Sequence, residues 1–121
     1  MNKFGSVNVD AAIKGLDDKK AMDIRVFDVS EVSPFWDYFI IATGTSKTHL
    51  SALFKSAEDE VQKAGGVIVH KEKGGDSNWM LVDTGDVLVH IFDNDTRLYY
   101  SLEKLWGEKE VFGKKSRKEI K

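Results

Sequence analysis

The sequence predicts an α/β fold, a mixed sheet of about five strands with helices packed on it in the order α-β-β-α-β-β-β-α. Three stretches carry that expectation. Leu50, Leu53, Phe54, Ala57, Val61 and Ala64 recur at helical spacing and stop at Gly65-Gly66. Phe39-Ile40-Ile41-Ala42 is apolar on both faces, the pattern of a strand inside a sheet covered on both sides. Asn78 to Asp83 and Asp86 to Phe92 alternate on either side of Thr84-Gly85, a two-residue hairpin signal.

The remaining elements follow in order. Val9, Ala12, Ile13 and Leu16 mark one face of a first helix, with Ser6 or Asn8 as its cap. Asp23 to Val29 reads as a strand and Glu31 to Trp36, which holds Ser33-Pro34, as a loop. Asp37 to Thr43 is the second strand. Gly44 ends it, and Thr45 or Ser46 caps the long helix. Val67-Ile68-Val69 reads as a short third strand, and Lys71 to Ser77 as a loop. If Thr84-Gly85 sets the hairpin register, Asp83 faces Asp86 and Trp79 faces His90. One hairpin face is then Met80, Val82, Val87, Val89 and Ile91, and the other carries Trp79, Leu81, Asp83, Asp86, Leu88, His90 and Phe92. Two aspartates directly opposite repel, so that pair asks for a reason. Asp93 or Asp95 caps a last helix with Leu98, Leu102, Leu105 and Trp106 on one face and Gly107 as its stop.

The chain has 121 residues, 41% hydrophobic and 31% charged, enough for one domain with one core. The sequence holds no apolar run of membrane-spanning length, and its start lacks the apolar stretch of a signal peptide. Without cysteine there is no disulfide or thiolate site. A cytoplasmic protein that does not enter membranes is expected. Net charge is −2, but it is unevenly spread. From Glu108 on, six Lys/Arg face three Asp/Glu, whereas the rest has twelve against seventeen. An acidic body repels phosphate backbones and suits a basic protein partner, leaving the charged tail, read as solvated, to touch nucleic acid at the periphery.

Gly44-Thr45-Ser46-Lys47-Thr48 has the flavour of a phosphate loop, but Ser46 stands where the second glycine is required, so a capped strand-to-helix turn explains it. Asp83, Asp86 and His90 could ligate a metal only if they converged, which the expected register does not favour. A metal-dependent nucleotidyltransferase or phosphotransferase is the rival reading. Such enzymes follow a Gly-Ser turn and helix with an Asp-x-Asp strand, and Val67-Ile68-Val69 has no such pair. His49 and His70 have no triad partner at useful spacing. Trp79 reads either as a core residue or as an interface anchor, and spacing does not decide between them.

Three ordered blocks resemble the Iojap-like family of ribosomal silencing factors. They are Asp37 to Ser46 (DYFIIATGTS), Trp79 to Phe92 (WMLVDTGDVLVHIF) and Arg97 to Trp106 (RLYYSLEKLW). The resemblance covers about Ala11 to Gly107, which implies a silencing-factor domain over residues 1–107 and a charged C-terminal tail over residues 108–121. It implies a nucleotidyltransferase-like fold without the catalytic carboxylates, hence no enzyme, cofactor or metal. It also implies a translational repressor that binds a basic protein on the intersubunit face of the large ribosomal subunit and keeps the small subunit from joining. Trp79, Asp83, Asp86, His90 and Tyr99 are the partner-binding set so implied, and a cation laid over Asp83 and Asp86 would relieve their repulsion. The tail adds a peripheral contact with rRNA, and a homodimer of the free protein is compatible with the same reading. Lys71 to Gly75 departs from the family's usual approach to the tryptophan, and the tail has no counterpart in it.

Overall fold

Helical spacing over Val9, Ala12 and Leu16 closes as α1 (Val7–Asp18), which buries all three side chains. The chain then forms β1 (Met22–Asp28), β2 (Tyr38–Gly44), α2 (Lys47–Lys63), β3 (His70–Glu72), β4 (Trp79–Asp83), β5 (Val87–Asp93), α3 (Asn94–Tyr100), a 3-10 turn (Gly107–Lys109) and β6 (Glu110–Lys114). The computed structural model describes residues 6–73, 78–101, 104 and 107–114. The fold is mixed α/β, as expected, but its sheet has six strands in the order β3-β4-β5-β2-β1-β6. Only β2 and β5 run parallel; the other neighbours are antiparallel.

Strand alternation divides the sheet into two faces. Ile24, Val26, Ile40, Ala42, Met80, Val82, Val87, Val89 and Ile91 point toward α1 and α2 and form the main core with Leu16, Leu50, Leu53, Phe54 and Val61. Phe27, Val29, Ile41 and Phe92 form a smaller cluster on the opposite face, edged by Trp36, Phe39 and Trp79. Ser46 caps α2 by accepting a hydrogen bond from His49 N at 3.0 Å, so the Gly44 to Thr48 string is the capped turn expected of it.

Four expectations are corrected. The third strand is His70–Glu72, and Val67-Ile68-Val69 stays outside the ladder because β4 ends at Asp83, the partner of His70. Lys71 and Glu72 therefore belong to that strand; of the expected loop, residues 74–77 lie outside the described residues. The helix that Asp93 caps closes at Tyr100, where Ser101 takes φ 49°, and Leu98 is 65% exposed; Lys104 is helical again, and Leu102, Leu105 and Trp106 lie outside the described residues. The segment read as a solvated tail begins with β6, which pairs with β1 and brings Phe112 against the main core. Charge at both ends of this short strand, Glu110 and Lys114, suits an exposed sheet edge, and it hid the strand.

The two long helices come into close contact at Gly15. A Cβ there would stand 2.5 Å from Ser56 O and 2.9 Å from Ala57 Cα, both backbone atoms, while the Ser56 hydroxyl donates to Gly15 O at 2.7 Å. Alanine in a helix interior ordinarily gains about 1 kcal/mol over glycine. Here the helices would have to part, and overpacking costs typically 1–3 kcal/mol. Gly15→Ala is therefore expected to lower the urea midpoint at unchanged slope. An unchanged or higher midpoint would show that the helix pair is looser than this contact requires.

Candidate functional site

The hairpin turn sets the site, and it lies one residue further along than expected. Thr84 would need a positive φ to open a primed turn, which a β-branched residue resists. Gly85 takes φ 99° instead, and Thr84 N donates to Val87 O at 2.9 Å, making Gly85 and Asp86 the central residues. Each β4 residue thus pairs two positions further along β5: Trp79 with Phe92, Leu81 with His90, Asp83 with Leu88. A shift of two positions keeps the alternation, so the side-chain faces are those expected except at Asp86 in the turn, and Met80, Val82, Val87, Val89 and Ile91 are all buried.

The shifted turn separates Asp83 from Asp86, and the opposed aspartate pair does not exist. Asp83 stays on the aromatic face, where its Oδ1 accepts from Trp36 Nε1 at 3.1 Å and Gly85 N at 2.8 Å. Asp86 turns toward α1 and accepts from Ser6 Oγ at 2.7 Å, Asn8 Nδ2 at 2.8 Å and Thr84 Oγ1 at 3.0 Å. Ser6, at the N-cap of α1, thus gives its hydroxyl to the hairpin rather than to its own helix. Burial acts to raise the Asp86 carboxyl, but the donors Asn8, Ser6 and Thr84 outweigh it and hold the group below the ordinary carboxylate range.

Trp79 and His90 meet beneath the same face. Trp79 Nε1 donates to His90 Nδ1 at 3.2 Å, which places the neutral ring's proton on Nε2. Nε2 has no hydrogen-bond partner among the described residues, and burial pulls the imidazole from 6.5 to about 4. The indole packs against His90 and Phe92, with ring centres 5.8 and 5.3 Å away. Trp79 is half-buried, and so are Trp36 and Phe39, giving a band of aromatic side chains that no described helix covers completely. The indole is neither fully buried nor fully exposed: one flank packs on His90 and Phe92 while the rest stays at the surface.

Tyr99, the remaining expected residue, lies on α3 with 81% exposure. The structure therefore gathers Trp79, Asp83 and His90 on one face and sends Asp86 to the other. Three contributors escape a reading of the sequence. Trp36 and Phe39 join the band because β2 lies beside β5, a nonlocal pairing. Arg97 is only 3% exposed, and its Nη1 donates to Asp23 O at 2.8 Å and Thr43 Oγ1 at 2.7 Å. It ties α3 to the sheet at Asp23, whose φ is 49°. No group of three or more His, Cys, Asp or Glu able to hold a metal occurs among the described residues.

A family model described as ribosomal silencing factor during starvation matches residues 6–121. A ribosomal silencing factor of Bacillus subtilis is 41% identical over 109 residues, covering 89% of this chain and 90% of its own. A Mus musculus protein, named mitochondrial assembly of ribosomal large subunit protein 1, is 33% identical over 82% of this chain and 45% of its own length. A crystal structure of a Chromobacterium violaceum protein matches with a TM-score of 0.78 at 38% identity, covering 83% of each chain.

Two outcomes follow from the geometry. A histidine whose folded pKa lies below its unfolded value contributes stability that is complete above the unfolded pKa and is lost as pH falls toward the folded one. For His90, with about 4 against 6.5, the window runs from pH 6.5 down to 4 and spans roughly 3 kcal/mol of unfolding free energy. Urea titrations across that range should show the decline, and His90→Phe should flatten it; an equal slope in the variant would place the titration elsewhere. Asp86→Ala strands the Ser6 and Asn8 donors and should cost about 1–3 kcal/mol, measured by thermal or urea unfolding. A neutral result would mean that solvent replaces the carboxylate there.

Proposed function

The chain belongs to the ribosomal silencing factor family, and from that premise we propose that it is a cytoplasmic translational repressor that docks on a basic protein at the intersubunit face of the large ribosomal subunit. Its bulk there keeps the small subunit from joining. Membership carries a ribosome-associated silencing role, regulatory rather than enzymatic. The murine relative's name supports the large subunit as the target. No helix among the described residues is long and apolar enough to cross a membrane.

The observation that carries the docking reading is the half-open aromatic band. Trp36, Phe39 and Trp79 present half-buried rings on one sheet face, and aromatic side chains dominate binding hot spots. Asp83 stands at the edge of the band with Oδ1 occupied by Trp36 and Gly85, while Oδ2 has no partner among the described residues. An oriented carboxylate beside exposed rings suits an arginine or lysine of a protein and opposes a phosphate backbone. In this reading Trp79, Asp83 and Tyr99 meet the partner, whereas His90 and Asp86 work from behind, holding the indole and the hairpin turn. The lysine-rich C-terminal end adds a salt-sensitive contact with nearby rRNA phosphates.

Sedimentation of cell lysate tests the reading. The protein should travel with free large subunits, and Trp79→Ala should weaken that binding on the order of thirtyfold or more. Because the indole is half-buried, the same change should also cost stability, but less than the 3–5 kcal/mol or so of a fully buried aromatic. Wild-type protein left at the top of the gradient at moderate salt, or travelling with small subunits, would discard the proposal.

A further inference from the structure

Phe35 is 73% exposed and Val32 51%, both on the loop between β1 and β2. Several hydrogen bonds hold the loop around them. Val32 N and Ser33 N donate to Val29 O at 3.0 and 2.8 Å, and Val29 N donates to Asp37 O at 2.9 Å. The Ser33 hydroxyl accepts from Phe35 N at 3.2 Å and Trp36 N at 3.1 Å, and Asp37 N donates to Asp86 O at 2.8 Å. Trp36 Nε1 then latches the loop to the hairpin through Asp83. The phenylalanine is thus held out into solvent by a braced backbone, and holding it there costs little further entropy on binding.

The ring contacts run without a break from this loop to the hairpin. Centroids are 5.7 Å apart for Phe35–Trp36, 5.8 Å for Trp36–Phe39, 5.4 Å for Phe39–His90, 5.8 Å for His90–Trp79 and 5.3 Å for Trp79–Phe92. Phe35 is the outer end of that series. Strand register places Asp28 and Asp37 at the same end of the sheet, with Glu31 on the loop itself. Glu31 is 86% exposed at its side chain, and Lys109, 3.6 Å away, offsets part of this charge. Apolar tip and acidic flanks together fit a basic surface with an apolar recess.

We propose that the β1–β2 loop is a second docking element, in which Phe35 enters an apolar recess of the basic ribosomal protein while Glu31 and Asp37 face its lysines or arginines. The proposal rests on the docking reading above and extends the contact surface from the hairpin to the loop. An RNA occupant is disfavoured, because the same carboxylates repel phosphates.

Binding to purified large ribosomal subunits, and to protein-free rRNA extracted from them, tests the proposal. Phe35→Ala should bind subunits on the order of thirtyfold more weakly or worse at an unchanged melting temperature, since its ring is exposed. Glu31→Lys with Asp37→Lys should slow association and reduce its dependence on salt. Phe35→Ala binding within threefold of wild type, or wild type binding protein-free rRNA as tightly as subunits, would overturn the loop's role. Wild type failing to bind subunits at all is a different result: it removes the docking reading itself, and the loop's role with it.

Discussion

The parallel pairing of β2 with β5 is the constraint on which the rest of this molecule depends. It runs from Tyr38–Val87 to Gly44–Asp93, so both strands end at the same level and each delivers a helix from its carboxyl end. Ser46 caps α2 and Asp93 caps α3, each accepting a backbone N–H three residues on. Because both strands lie inside the sheet, their two faces are both occupied: Ile40, Ala42, Val89 and Ile91 toward the long helices, Ile41 and Phe92 toward the aromatic face. The same pairing brings Phe39 beside His90, with ring centres 5.4 Å apart, and so builds the band from strands distant in sequence.

The hairpin turn translates that framework into a division between the two aspartates. With glycine at the first central position, Asp83 remains on β4 and faces Trp36, while Asp86 leaves the ladder and reaches the first turn of α1. One carboxylate keeps an oxygen available at the edge of the exposed rings. The other spends its acceptors on the protein's own donors and joins the hairpin to the helix layer. Both are needed at positions three residues apart, and neither job requires them to face one another.

What could be read from the sequence was what repeats. Three-to-four spacing located α1 and α2, and alternation sorted the hairpin into a core face and a mixed face even though its register was placed one pair off. The two edge strands were hard to see for the opposite reason. His70–Glu72 and Glu110–Lys114 carry charge where an inner strand carries valine or isoleucine, because an edge has no second neighbour and stays wet. The end of α3 was missed because Ser101 adopts a left-handed conformation usually signalled by glycine. At the site, Trp79, Asp83 and His90 could be placed on one face from β4 and β5 alone. Trp36 and Phe39 depend on which strand lies beside β5, and Arg97 depends on a carbonyl at Asp23, 74 positions away; local pattern carries neither.

A half-open aromatic band is a liability for a protein that must stay dissolved, and the structure limits that liability in two ways. Each ring leans on the next, so part of its surface is already covered by another ring. Around the band stand carboxylates, in a chain whose net charge is −2 despite eighteen lysines and arginines. Two copies meeting through these faces would bring like charges together, and a phosphate backbone would be turned away. A basic protein surface escapes both penalties. In the docking proposed above, the charge pattern selects against the wrong partners and the rings supply the affinity.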